Sequence, residues 1–316
     1  MSTVDVMNTR NEIREFLTTR RARISPEQVG LPDYGGRRRV PGLRRGEVAT
    51  LAGVSPEYYT RLEQGKVAGV SEGILHAIAE ALQLDEAEQS HLFDLARGAQ
   101  PANRPRRRPK PQIPAGLQYA LDGITAVPAF VRNGRMDILA INRLGRALFS
   151  DMYRDQRHPA NIARFVFLDP RAVDFYPDWR LAAHDTVALL RAESGRDPFN
   201  KDLSDLVGEL STRNEDFSAY WSSHNVRRLT SGIKRFNHPI VGELELMFNA
   251  FDLTADPSFS LFIYSVQPET AAEDALHLLG AWAATLDQKI QAEAADSGEP
   301  SRSIFARDLK SERGSS

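Results

Sequence analysis

The side chains best suited to recognise another molecule share one face of a predicted helix that begins after Ser55. They are Ser55, Pro56, Glu57, Tyr58 and Arg61. Hydroxyl, carboxylate and guanidinium groups exchange hydrogen bonds with base edges in the DNA major groove, where each base pair presents a distinct pattern. The chemistry that these residue types and their spacing predict is therefore the reading of base pairs.

Six basic side chains near this face have the charge that phosphate contacts require. They are Arg37, Arg38, Arg39, Arg44, Arg45 and Lys66. The triplet at 37–39 lies in a segment rich in proline and glycine, which predicts a loop. An arginine triplet is usually a solvated surface, but beside a base-reading helix we interpret it as a contact to phosphates or to a minor groove.

Two short helices must position these groups. Apolar residues at helical spacing between 48 and 52 predict the first helix, and Gly53 ends it as a C-terminal glycine does. Ser55 is a good N-cap for the second helix, in which Tyr59 and Leu62 face inward. Two such helices joined by a short turn are typical of a helix-turn-helix, whose second helix enters the major groove.

Three more helices complete the predicted N-terminal domain, residues 11–98. The first is expected at 11–20, another follows the N-cap Ser71, and the last begins at Asp85 and extends to about residue 97. Each helix has a stripe of apolar residues, so five helices are expected to pack around one core.

Longer stretches carry a family resemblance. The run EVATLAGVSPEYYTRLEQGK resembles the phage-repressor/Cro-like (XRE) helix-turn-helix family, and the preceding RRRVPGLRRGEVA is similar to its MmyB-like subfamily. Three later stretches also resemble that subfamily: VPAFVRNGRMDILAINRLGRALF, RFVFLDPRAVDFYPDW and WSSHNVRRLTSGIKRFNHPIVGEL. The resemblance extends from about residue 11 to about residue 267. It implies a transcriptional regulator that binds double-stranded DNA and has a PAS-like domain for a fatty-acid-like or otherwise apolar small molecule.

Residues 99–112 are a linker by composition. Their prolines favour an extended, semi-rigid spacer, and five basic residues occur there with no acid among them. Such a linker keeps the chain soluble, or it adds a phosphate contact that carries no sequence information. The sequence leaves both alternatives open.

The second domain is expected at residues 113–295, and its pattern is mixed. Helical patterns follow a short helix near Leu117 and recur at 144–152, 161–168, 179–194 and 202–212, with another near Phe217. Strands are predicted at 126–132, 136–142, 230–237, 242–253 and 258–266, and Asn133-Gly134 predicts a hairpin between the first two. Two strands, helices and three strands match the order of the PAS-like fold that the family resemblance implies. The predicted fold class is therefore multidomain, all-α followed by α+β.

The resemblance implies a ligand pocket in this second domain. The candidates for its lining are Phe130, Phe149, Phe165, Trp179, Trp221, His224, Phe248 and Phe262. Aromatic side chains in such a fold line both the core and a pocket, and their spacing does not separate the two roles. For His224, a structural hydrogen bond is the favoured alternative. Arg235 is the candidate partner for an acid end, because a guanidinium holds a carboxylate in a forked pair.

The sequence offers little for catalysis or for a cofactor. The chain has no cysteine, which excludes disulfides and thiolate ligands, and its seven histidines do not stand at metal-ligand spacing. Glycine-rich phosphate loops, the G-x-S-x-G elbow and the H-E-x-x-H motif are missing. We therefore expect neither an enzyme nor a bound cofactor. The alternative is a lipid carrier or an enzyme whose helix-turn-helix serves protein contacts.

Charge is divided between the two predicted domains. Residues 1–112 carry 18 basic and 14 acidic side chains, and the remainder carries 22 and 28, which gives the chain its net charge of −2. The basic excess lies in the part predicted to meet the phosphate backbone. No run of 18 apolar residues and no signal-peptide pattern occurs, so a cytoplasmic protein without a membrane partner is expected.

The C-terminal region offers a candidate contact between copies. An apolar stripe at 275–290 includes Trp282 and predicts a helix that packs on its own domain or forms a dimer contact. A homodimer is expected, because one helix-turn-helix reads few base pairs and a two-fold repeat doubles them. The polar residues 296–316 are expected to be disordered.

Overall fold

The computed structural model describes residues 3–31, 40, 42–67, 69–99, 113–154 and 159–296. These residues form two compact units: the first lies within Met1–Lys110 and Ala183–Arg228, and the second within Pro111–Ala182 and Leu229–Ser316. The sequence predicted one continuous second domain at 113–295. In the structure its middle part, residues 183–228, packs instead with the N-terminal helices.

Thirteen α-helices and five strands are present in these ranges. The helices are α1 (Thr3–Arg23), α2 (Arg45–Leu51), α3 (Pro56–Glu63), α4 (Glu72–Ala81), α5 (Glu86–Gly98), α6 (Ala115–Gly123), α7 (Arg143–Leu148), α8 (Ile162–Leu168), α9 (Ala172–Phe175), α10 (Trp179–Arg196), α11 (Lys201–Arg213), α12 (Glu215–Trp221) and α13 (Ala271–Asp296). The strands are β1 (Ala129–Asn133), β2 (Ile138–Ile141), β3 (Ser231–His238), β4 (Gly242–Leu253) and β5 (Asp256–Ser265).

The five predicted N-terminal helices are all present. Ser55, Ser71 and Asp85 cap α3, α4 and α5, each accepting a backbone N–H in the first turn. Helix α1 is longer than predicted at both ends, since no proline or glycine interrupts residues 3–23. Apolar residues of all five helices share one buried cluster.

Residues 183–228 extend that cluster. Val226 is buried among the N-terminal core residues, and Ala192 on α10 packs against them. Helix α10 begins in the second unit and its residues from Ala183 onward belong to the first. The first unit is therefore built from two separate stretches of chain.

The second unit is organised around a five-stranded antiparallel sheet of order β2-β1-β5-β4-β3. Alternate residues of β4, among them Leu244, Leu246 and Phe248, are buried on what we call the inner face. The outer face carries α6 and a small apolar cluster beside β1 and β5. The predicted hairpin at Asn133 joins β1 to β2.

Several boundaries differ from the predicted ones. The helix expected at 144–152 is α7 followed by a 3₁₀ turn at Ser150–Tyr153, and α9 was not predicted, because four residues are too few for a periodic signal. The apolar stripe of α13 packs on its own unit: Leu279 is fully buried and the ring of Trp282 contacts that of His238. Packing on its own domain was one of the two alternatives for this helix.

Candidate functional site

Helix α3 presents the predicted base-reading side chains to solvent. Ser55 accepts a hydrogen bond from the backbone N–H of Tyr58 at 3.1 Å, and Pro56 occupies the first turn. Tyr59 and Leu62 are fully buried and hold the opposite side of the helix in the core. The predicted residues are exposed or, for Tyr58, half-buried: Ser55, Pro56, Glu57, Tyr58 and Arg61.

Glycines set the backbone conformation at both ends of α3. Gly53, in the turn between α2 and α3, has φ +64°, a left-handed conformation that glycine adopts without strain. Gly65, just after α3, has φ +77°, and a Cβ there would lie 2.5 Å from the carbonyl oxygen of Arg10. The end of α3 therefore contacts α1 at a distance that only glycine permits.

A buried carboxylate, which the sequence analysis missed, joins three helices behind the reader. Glu63 accepts hydrogen bonds from Arg21 on α1 at 2.8 and 3.1 Å, from Arg45 on α2 at 2.5 Å and from Thr18 at 2.9 Å. Burial opposes its ionisation, but these hydrogen bonds outweigh it and lower the pKa of Glu63. The ionised carboxylate thus fixes α3 relative to α1 and α2.

The predicted phosphate contacts in the described ranges lie at the start of α2 and just after α3. Arg44 and Lys66 are exposed. Arg45 is bound to Glu63 through its Nε, yet 55% of its side chain remains exposed. A guanidinium held by a buried acid is preorganised to present its remaining N–H groups outward. The triplet Arg37, Arg38 and Arg39 lies outside the described residues.

The inner face of the sheet carries a continuous aromatic cluster, which includes most of the predicted pocket residues. The ring of Phe130 stacks on Phe262 at 5.2 Å and meets Phe149 edge-on at 5.6 Å. Phe165 joins through Phe175, whose ring centroid is 5.6 Å from its own. Phe248 contacts Phe262 at 6.1 Å. These rings form a continuous buried layer, which we call the aromatic wall.

Three polar side chains, also missed by the sequence analysis, enter this cluster. The rings of Tyr176 and Tyr264 lie 5.8 and 5.7 Å from that of Phe236. Burial raises the pKa of both hydroxyls, and neither forms a hydrogen bond within the described part of the chain. Arg132, a charge inside an apolar strand, is buried with its guanidinium 4.7 Å from the centroid of Phe262. Polar groups thus enter an otherwise apolar layer, in which burial disfavours the charged form of both tyrosines.

The other predicted pocket residues do not join the cluster through ring contacts with Phe130 or Phe262. Trp179 is half-buried and donates its indole N–H to the carbonyl of Val166 at 2.9 Å. Trp221 and His224 lie in the first unit: the guanidinium of Arg191 stacks on Trp221, and His224 contacts Glu15 at 2.9 Å. A structural contact was the favoured alternative for His224.

Arg235 lies on the outer face of the sheet. Its neighbour Phe236 points inward, because successive side chains of a strand alternate between faces. The guanidinium of Arg235 is exposed and donates to Glu245 at 2.8 Å. The structure thus does not bring Arg235 together with the aromatic wall, and its guanidinium forms a hydrogen bond with Glu245 on the surface instead.

An open cleft of about 520 Å³ lies beside the aromatic cluster in the second unit. Phe175 forms part of its lining and contacts Phe149 and Phe236 behind it. Its polar lining residues include Asp151 and Arg171, which lie 3.7 Å apart. The cleft therefore connects solvent to the edge of the aromatic wall.

Within the described ranges, no group of three or more His, Asp or Glu side chains is placed to hold a metal ion. No helix in those ranges combines the length and apolar character needed to cross a bilayer.

Two family models match the chain. The MmyB-like transcription regulator ligand binding domain matches residues 113–279, and a helix-turn-helix domain matches residues 12–92. A search of curated proteins finds no match. The first match covers more than half of the 316 residues and includes the segment 183–228 that packs with the helix-turn-helix.

Proposed function

The chain belongs to the MmyB-like transcription regulators, and from this premise we propose that α3 reads a specific operator and that an apolar, fatty-acid-like ligand changes the affinity for it. One observation carries the DNA-binding part: α3 has a polar face open to solvent and is anchored from behind by Tyr59, Leu62 and Glu63. The two matched domains make the protein a ligand-responsive regulator. The operator and the ligand class are our proposal.

The ligand proposal rests on the inner face of the sheet. Its rings offer an apolar wall, and the hydroxyls of Tyr176 and Tyr264 offer hydrogen bonds to one polar end. Arg132 on the same face adds a positive charge for an acid. We propose that the ligand enters through the cleft at Phe175 and that the domain is of the PAS-like class, which its order of two strands, helices and three strands supports.

Regulation follows from differential affinity. A ligand that binds one conformation of the protein more tightly shifts the population toward that conformation. The resulting change in DNA affinity cannot exceed the ratio of the ligand's affinities for the two conformations. We also propose a homodimer on an inverted repeat, since two readers double the number of base pairs read. As a regulator of transcription, the protein would act in the cytoplasm, where it meets its DNA.

The DNA-binding part can be tested with the full chain on DNA fragments from upstream regions. Fluorescence anisotropy should detect one fragment bound on the order of 1,000-fold more tightly than unrelated DNA at the same salt concentration. Equal affinity for all fragments at every salt concentration would contradict a sequence-specific regulator.

The ligand part is tested separately by thermal unfolding of the full chain with a medium-chain fatty acid. Binding to the folded state alone should raise the melting temperature. Tyr264→Phe should reduce this rise because it removes a hydrogen bond, whereas Arg235→Ala, on the other face, should leave it unchanged. A rise abolished by Arg235→Ala and untouched by Tyr264→Phe would move the site to the outer face.

A further inference from the structure

The outer face of the sheet is apolar over a region that its own unit leaves open. Ile233 on β3 and Met247 on β4 are directly paired across the strands and are 58% and 43% exposed. Phe251, four residues along β4 on the same face, is 52% exposed. Ile233 and Met247 are adjacent, and Phe251 lies beyond Asn249 on the same face. Three large exposed apolar side chains on one face are unusual for a surface that meets only water.

The other half of this face is covered. Leu121 of α6, Val131 of β1 and Phe259 of β5 form a buried cluster there. Leu261 and Ile263 of β5 are partly buried against that cluster and pair with Phe251 and Asn249 of β4. Phe251 therefore adjoins the covered half through Leu261, whereas the polar Asn249 and Ser265 pair with Ile263 and Met247.

The charges along the open half have both signs. Arg235 donates to Glu245 at 2.8 Å and lies 3.8 Å from Asp178. Glu243 is a further exposed acid on the same face, two residues before Glu245. A second, two-fold-related copy would bring the same mixed set, so each arginine could meet an acid of the other copy.

We propose that the open outer face, which we define by Ile233, Met247 and Phe251, is the dimer interface of this regulator, and that its occupant is the same face of a second copy. Two sheets packed face to face would bury these side chains in an aligned sandwich about 10 Å thick. The inference deepens the proposed function, which requires two readers on one operator. This interface takes the place of the apolar stripe of α13 as the proposed contact between copies, because the described apolar residues of that stripe are mostly buried within their own unit.

The test uses the full chain and measures molar mass by light scattering over a concentration series, without DNA. The double variant Met247→Glu/Phe251→Glu should raise the dimer dissociation constant on the order of 100-fold, since it places charge at the centre of the interface. Leu278→Glu is the matched control, because Leu278 is a 63% exposed leucine on α13 of the same unit. This control should remain a dimer.

Charge reversal gives a second variant that spares the apolar residues. Arg235→Glu leaves only acids along this part of the face and should dissociate the dimer, and Arg235→Glu/Glu245→Arg should restore it. An exposed ion pair adds little to folding, so a loss of mass followed by its rescue reports association rather than stability.

Three results would overturn the interface: a wild-type chain that is monomeric at every concentration, a glutamate double variant that remains dimeric, or a dimer lost only in Leu278→Glu. DNA affinity is measured in parallel on one and two half-sites. The double variant should bind a single half-site with the same affinity as the wild type. It should lose the tighter binding that the wild type shows to two half-sites. Failure of the wild type to bind any half-site would instead contradict the proposed function, whatever its mass.

Discussion

At the scale of single residues, Arg61 and Lys66 separate base reading from phosphate contact. Arg61 is exposed on the face of α3 opposite its buried anchors, and Lys66 follows that helix. Arg61→Ala should weaken operator binding by about 1–3 kcal/mol and relax the preference for one base pair. Lys66→Ala should instead weaken binding to all sequences alike and reduce its salt dependence. Anisotropy titrations on operator and unrelated DNA measure both; a parallel loss on both DNAs in Arg61→Ala would make that residue a phosphate contact.

Glu63 makes stability depend on pH. Because its folded pKa lies below the ordinary value of 4.5, the ionised group stabilises the fold above that value, and this contribution is lost as pH falls through the lower folded pKa. Glu63→Gln should lower the free energy of unfolding at neutral pH by about 3–5 kcal/mol, because Arg21 and Arg45 lose their buried partner.

Urea unfolding at neutral pH and at pH below about 4.5 measures this dependence. The wild type should lose more stability between the two conditions than Glu63→Gln does. The control is Glu57→Gln, an exposed residue on the same helix. If both variants lose as much as the wild type, Glu63 does not supply the pH dependence.

At the scale of elements, α3 depends on its buried side. Leu62 is almost completely buried in the core of the first unit. Leu62→Ala should therefore lower the free energy of unfolding by about 2–5 kcal/mol, the range for removing a large buried side chain. Thermal unfolding measures the loss, and the exposed Leu51 provides the matched control, since Leu51→Ala should have a much smaller effect. An unchanged melting temperature with lost DNA binding would mean that Leu62 faces the DNA.

Capping residues made the starts of three N-terminal helices predictable. Ser55, Ser71 and Asp85 are caps whose side-chain oxygens accept backbone N–H groups wherever a helix starts, so sequence alone placed three helices correctly. The faces of the sheet also followed from alternation along β4. The position of Arg235 could not be predicted in this way, because alternation separates the two faces of a sheet without showing which face carries the aromatic wall.

At the scale of the whole molecule, a buried polar network joins distant parts of the first unit. Arg191 on α10 is almost fully buried and donates to Glu12 on α1 and to the carbonyl of Trp221. Arg20 on α1 donates to the carbonyl of His224 at 2.5 Å. Burial and then the nearby Arg191 lower the pKa of His224 to about 3, so the ring is neutral near pH 7.

Sequence reasoning could not place these contacts. Residues 12 and 191 are 179 positions apart, and periodicity identifies the buried side of a helix without identifying its partner. In the sequence, residues 183–228 lie inside the ligand-binding region, where the family match also runs. One of these contacts depends on a glycine: His91 of α5 faces Gly195, where a Cβ would lie 2.4 Å from the ring.

The N-terminal helices should accordingly depend on the distant segment. A fragment of residues 1–112 lacks the segment that covers His91 and Arg20. Its free energy of unfolding should fall by at least about 3 kcal/mol, because it loses the apolar packing of Val226 and Ala192 and leaves Arg20 without the carbonyl of His224. The matched chain for comparison joins residues 1–110 to 183–228 through a flexible linker and restores the first unit as the structure defines it. Urea unfolding followed by helical circular dichroism compares the two. If the short fragment is as stable as the joined one, the N-terminal helices fold on their own, and residues 183–228 only rest on them.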